Sequence, residues 1–223
     1  MMRTLLKTLL AAAVGSSVAF PIAAETPHAV LHKVLASPLV EEGSDPDGCT
    51  PAISGLGGPS LWQVRIERLL LDGKALVEAS GQAEPNRFPL CIADGLAAKN
   101  AEVELAFVPH LGGTARTAGI VLRFADPQDF YLAEADAIAG SVRLLRVVNG
   151  ERREIAEHAA VLIADKAQTL KIGVVDDSFS VSLDGEVLLE ARDGAIATPG
   201  RFGVSSRADS QTSFGDLFIT VLD

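Results

Sequence analysis

In Phe179-Ser180-Val181-Ser182-Leu183-Asp184-Gly185 every second residue is apolar, and the run ends in Asp-Gly. A period of two marks a strand with one wet face, and Asp-Gly supplies the positive φ angles of a tight hairpin turn. The alternation recurs at Trp62, Val64 and Ile66, and again at Val103, Leu105 and Phe107. Turn signals recur at Asp72-Gly73, Asn149-Gly150 and Asp176-Asp177. Counting such segments predicts roughly a dozen strands and no amphipathic helix after the N-terminal region. The fold class is therefore all-β, an antiparallel β-sandwich or jelly roll.

Working outward from that core, the chain divides into three parts. Residues 1–24 read as a cleaved signal peptide: Arg3 and Lys7 precede an uncharged stretch, and Ala23-Ala24 supply small residues before Glu25. The uncharged run is short of the roughly 20 apolar residues of a spanning helix, so we expect no stable membrane insertion after cleavage. Residues 25–60 read as an N-terminal arm, with Glu41 to Ser60 a loop because of its Gly, Pro and acidic content. Residues 61–223 form the sandwich. The leader implies a periplasmic or secreted location. In that oxidising setting the isolated Cys49 and Cys91 are expected to form a disulfide that pins the arm onto the strand around Cys91.

Composition narrows the partners. The 223 residues, 48% of them hydrophobic, suffice for one domain with a sizeable core. With 19 Lys plus Arg against 29 Asp plus Glu the net charge is −10. Nucleic acid is excluded as a main partner, because phosphate binding needs surplus cations to displace counterions.

Four ordered segments carry a resemblance: Gly119-Ile-Val-Leu-Arg-Phe-Ala-Asp-Pro-Gln-Asp-Phe-Tyr131, Val142-Arg-Leu-Leu-Arg-Val-Val-Asn-Gly150, Val181 to Ala191, and Pro199 to Asp216. Together the segments resemble the concanavalin A-like lectin/glucanase superfamily, in particular secreted bacterial domains related to laminin-G and 3-keto-disaccharide hydrolase domains. The resemblance implies a concanavalin A-like jelly roll over residues 62 to 222. It leaves activity open, since that fold hosts lectins, adhesion modules and glycosidases. Where such relatives carry Arg and Asn after the paired aromatic, this chain has Glu134 and Asp136. The glucanase pattern Glu-x-Asp-x-x-Glu is broken here, since Glu134-Ala135-Asp136-Ala137-Ile138-Ala139 has no final Glu. A retaining glycosidase needs two carboxyls about 5 Å apart, which the broken motif does not supply on one strand.

Other chemistry has few candidates. His28, His32, His110 and His158 are scattered, and no Gly-x-Ser-x-Gly elbow or phosphate loop is present. Asp45, Asp47, Asp126, Asp129 and Asp216 are oxygen ligands of the type calcium takes, and laminin-G relatives bind calcium at a sandwich rim. No other cofactor is implied. The ligand-site candidates are Arg123, Tyr131, Glu134, Asp136 and Arg143. If Ile120, Leu122 and Phe124 face the core, Arg123 faces outward, joined by Tyr131 and Arg143 on a concave sheet. Charged and aromatic groups on such a face suit sugars. The expected function is a non-catalytic carbohydrate or cell-envelope binding module, with a glycoside hydrolase of the 3-keto-disaccharide hydrolase type or a structural protein-interaction module as alternatives.

Overall fold

The computed structural model describes residues 28–30 and 41–222. The expected signal peptide, His32 and most of the arm before Glu41 lie outside them. The described residues contain fifteen strands and no helix: β1 (His28–Val30), β2 (Cys49–Gly55), β3 (Trp62–Ile66), β4 (Lys74–Glu78), β5 (Arg87–Ala98), β6 (Ala101–Leu111), β7 (Thr117–Asp126), β8 (Asp129–Asp136), β9 (Ser141–Val148), β10 (Glu151–Ala159), β11 (Gln168–Val175), β12 (Ser178–Leu183), β13 (Glu186–Arg192), β14 (Gly200–Ser205) and β15 (Gln211–Val221). Every pairing is antiparallel. The strands form two sheets. One runs β10-β9-β8-β7-β14-β5-β2, the other β13-β12-β11-β6-β15-β4-β3, with β1 paired to the far end of β15.

Alternation explains why these segments pack as two layers. Ile120, Leu122, Ala133, Leu144 and Val204 of the first sheet meet Leu105, Phe107, Ile172 and Val181 of the second in one buried core. Trp62 crosses the sandwich, stacking edge-on against Phe214 with 5.8 Å between ring centroids and donating its indole N–H to the Leu90 carbonyl at 3.0 Å. That donation satisfies a polar group that would otherwise be buried without a partner.

The two ends of the core are sealed by arginines. At one end Arg87, fully buried, pairs with Glu78 at 3.0 Å and donates to the Gly58 and Pro59 carbonyls. At the other end Arg123, 1% exposed, donates to the carbonyls of Lys99 (2.9 Å), Ile196 (2.7 Å) and Asp176 (2.6 Å). Its guanidinium also lies 5.9 Å from the Tyr131 ring centroid and 5.7 Å from that of Phe179, both core side chains.

This placement corrects the expectation that Arg123 faces outward. Strict alternation fails after Leu122, where the pairing of β7 with β8 jumps to Asp126–Asp129 and that with β14 skips between Arg201 and Gly203. Arg123 absorbs the extra residue with φ at +48°, and Gly200 lies so close that a Cβ there would sit 2.3 Å from the Arg123 carbonyl carbon. A bulge of this kind moves everything beyond it to the opposite face. Phe124, expected in the core, therefore joins Val121 on the outer face.

The loop expected over 41–60 contains strand β2, an edge strand joined to β5 by the Cys49–Cys91 disulfide. Pro51 is tolerated there because an edge strand has one side on which no N–H is needed. The opposite edge, β10, carries Glu151, Arg153, Glu154 and Glu157 and a bulge between Glu154 and Ala156.

Candidate functional site

The outer face of the seven-stranded sheet is curled into a groove. Flat, seven strands spaced ~4.8 Å apart would hold β10 and β2 about 29 Å from each other. Yet Arg152 of β10 stacks on Phe88 of β5, 3.3 Å from the ring centroid, and its terminal nitrogen lies 3.4 Å from Ser54 Oγ of β2. One side chain spans this gap only because the sheet bends around it. Phe88, Leu90, Val121, Leu132, Leu145 and Val147 pack together on this face as a second buried apolar cluster, none of them more than 6% exposed.

Beside those residues lies a charged cluster. Glu134 of β8 stands directly opposite Arg143 of β9, and Asp136 opposite Ser141. Cross-strand partners share a face, so all four side chains point into the groove. Arg143 is hydrogen-bonded to Glu134, and Arg207 to Asp136 while its Nε lies 3.8 Å from the other Glu134 oxygen. Both carboxylates are almost wholly buried, at 2% and 1% exposed. Gly119, opposite Glu134 on β7, deepens the groove here, since a Cβ would press to 2.7 Å from Leu132 Cδ1.

Local structure holds the arginines in place. Arg207 sits in the short connection after β14, where the Ser206 N–H bonds the Pro89 carbonyl and the Ala208 N–H bonds that of Arg87. Asp209 accepts the N–H groups of Gly113, Thr114 and Ala115 at 2.8 to 3.2 Å, tying this connection to the turn before β7. Burial works to raise its carboxyl, but those N–H groups hold it below the usual range. On Arg143, burial favours the neutral form, yet Glu134 and, more weakly, Asp136 and Glu154 raise its pKa above the ordinary value.

Several groove donors have no partner: Arg143 Nε, Arg152 Nε, Arg207 Nε and Ser141 Oγ are buried without a hydrogen bond. Buried polar atoms are normally satisfied, so these four on one face are the groove atoms with hydrogen-bonding capacity to spare.

The expected site residues divide between the two faces. Glu134, Asp136 and Arg143 converge in the groove, whereas Arg123 and Tyr131 face inward, opposite to the orientation expected. Tyr131 is fully buried; its hydroxyl donates to Asp193 Oδ1 at 2.7 Å and accepts the Ile196 N–H at 3.1 Å. Burial, reinforced by the Asp193 carboxylate, pushes the phenol up to about 12. Arg152, Arg207 and Ser141 complete the cluster without having been singled out in the sequence. Arg207 arrives from a loop 71 positions beyond Asp136, a distance no spacing rule covers.

The Tyr131 hydroxyl gives a testable consequence. Because the folded pKa lies above the ordinary value of about 10, the stabilisation is complete below pH 10 and is lost as pH rises through 12. Tyr131→Phe is expected to lower unfolding free energy by about 1–3 kcal/mol at pH 8, from the lost bonds to Asp193 and Ile196. Urea denaturation of both proteins should show the gap narrowing by pH 11; a gap that widens would contradict this assignment.

The calcium candidates fall in three separate places. Asp126 caps the Gln128 N–H and Asp129 accepts that of Asn149 in the β7–β8 turn; Asp45 and Asp47 are exposed ahead of β2, and Asp216 lies on β15 in the other sheet. Among the described residues no group of three or more His, Cys, Asp or Glu is placed to hold a metal. His158 is exposed, while His110 bridges Glu67 and Asp165 at 2.7 Å each and lies 3.2 Å from Ser213 Oγ, an ordered network on the second sheet.

Comparison with solved structures places this architecture. The chain is similar to the carbohydrate binding module CBM66 from Bacillus subtilis, with 20% identity and a TM-score of 0.59 over 75% of this chain and 94% of that one. It is also similar to domain 4 of AbnA, a GH43 extracellular arabinanase from Geobacillus stearothermophilus, in complex with arabinotriose (12%, TM-score 0.54, 88% and 94% covered). A third likeness is to the Bacillus licheniformis beta-glucanase (8%, TM-score 0.53, 89% and 100% covered). The fold is the concanavalin A-like jelly roll. No protein-family model and no curated protein matches the sequence.

Within this jelly roll the broken carboxylate motif has a structural reason. Strand β8 ends at Asp136, whose Oδ1 accepts the N–H groups of Ile138 and Ala139 as the chain turns. The position where a final Glu would stand, Ala139, is in the turn rather than on the strand. Each carboxylate in the groove is bonded to an arginine, Glu134 to Arg143 and Asp136 to Arg207.

Proposed function

We propose that this protein is a non-catalytic carbohydrate-binding module acting outside the cytoplasm, with a glycan or cell-envelope polysaccharide as its partner. The observation that carries this reading is the polar cluster itself: two buried carboxylates and three arginines, with an Nε of each arginine and the Ser141 hydroxyl unpartnered. Sugars present hydroxyls that pair with such planar charged groups. Structural likeness to the CBM66 module and to the arabinanase domain supports the reading at the level of the fold. Glu134 and Asp136 accept hydroxyl protons, while the free edges of the arginines donate to ring and hydroxyl oxygens.

Glycan-array screening of the protein followed by titration calorimetry tests this. Glu134→Gln, which preserves shape but removes the charge held by Arg143, is expected to weaken the strongest hit by about 1.5 to 3 kcal/mol, or ten-fold and more. Absence of binding to any glycan would defeat the proposal.

A further inference from the structure

Arg152 is a groove cation to which no carboxylate is bonded. Arg143 is bonded to Glu134 and Arg207 to Asp136, whereas the contacts of Arg152 are an aromatic face and a hydroxyl at the long distance of 3.4 Å. Its Nε is buried and bonded to nothing. Stacking on Phe88 fixes the plane of the guanidinium while leaving its edge free for in-plane hydrogen bonds.

Accepting the groove as a sugar site, we propose that it selects glycans carrying a carboxylate, such as uronic-acid residues, and that Arg152 is the group that meets that carboxylate. A desolvated guanidinium without an anion is costly, and a planar carboxylate matches its fork with two charge-assisted bonds where a hydroxyl offers one neutral acceptor. The surroundings of Arg152 point the same way: burial, with Arg207 and Arg143 as like charges nearby, lowers its pKa to about 10 against the pull of Glu134. It remains charged at neutral pH. The other carboxylates on this face, Glu154 and Glu157 of β10, are exposed; Glu154 acts on Arg143 and Glu157 stands opposite it across the strands. In a chain of net charge −10 a ligand anion gains nothing from the protein's overall field, so the preference must come from this cluster.

The test uses the whole protein on an array of matched pairs, each uronic-acid oligosaccharide beside its carboxyl-reduced neutral counterpart, followed by calorimetry on the best pair. The expected result is at least ten-fold tighter binding of the acidic member, weakening as salt is raised. Arg152→Gln should reduce the preference to within about two-fold, and Arg152→Lys should retain part of it; melting curves of both variants check that the fold is intact. Neutral members binding as tightly as acidic ones would overturn this inference and leave the carbohydrate reading standing. A preference that survives Arg152→Gln in a folded variant would remove Arg152 from the role. Silence across all glycans would overturn both readings together.

Discussion

Arg123→Met should unfold the protein at a temperature on the order of 10 °C below the parent while leaving glycan affinity within about two-fold. The guanidinium is fully enclosed and closes three carbonyls, those of Lys99, Asp176 and Ile196, belonging to three separate connections at one end of the sandwich. Removing it leaves three acceptors without a donor in a place water reaches poorly. At roughly 1–3 kcal/mol per orphaned group, reduced by partial relaxation, the loss is about 3–5 kcal/mol. For a chain of this size each kcal/mol lowers Tm by about 2–4 °C. Scanning fluorimetry and calorimetry on one preparation decide the matter. A Tm within 2 °C of the parent, accompanied by lost binding, would return Arg123 to the ligand site.

Removing the Cys49–Cys91 bridge is the second large perturbation. The bond closes a separation of 42 residues and fastens β2 to β5 at the edge of the groove sheet. The chain-entropy relation gives about 4 kcal/mol for a loop of that length. Cys49→Ala with Cys91→Ala is therefore expected to lower Tm by about 10 °C. Hydrogen exchange should quicken first in β2, which has one neighbour, while β6 to β9 remain protected. Unchanged exchange in β2 would mean that strand pairing alone holds it.

The strands were readable because each shows an alternation with one cause, a wet face and a dry one. Trp62, Val64, Phe107 and Val181 all stand where period two puts them, in the core or against it. What escaped was the bulge in β7. Only the fold reveals that Arg123 adopts a positive φ, because Gly, Asn and Asp are the residues that ordinarily announce one, and at Asn149 and Asp184 they did. That extra residue reversed the facing of Arg123 and Phe124. Tyr131 was misassigned by association with Arg123, although its own place opposite Leu122 puts it in the core.

The site was legible in its β8–β9 half. Glu134, Asp136 and Arg143 lie on adjacent strands joined by a short turn, so sequence proximity carries over into space. Arg152 and Arg207 join them through sheet curvature and a returning loop, which depend on the whole topology. The strand β2 was hidden for a different reason. The Gly, Pro and acidic residues in and around it suggest a loop, and it is held as a strand by β5 and the disulfide rather than by its own alternation.

The edges of the groove sheet bear on how the molecule behaves in company. A free strand edge is a template on which another chain can zip up, and crowded surfaces make such encounters frequent. Here β2 offers Pro51, which cannot donate, and β10 offers a bulge amid Glu151, Arg153, Glu154 and Glu157. Neighbouring copies meeting along these two edges would thus find no continuous ladder to extend. The seven-stranded sheet is thereby expected to resist edge-to-edge pairing between copies of the protein.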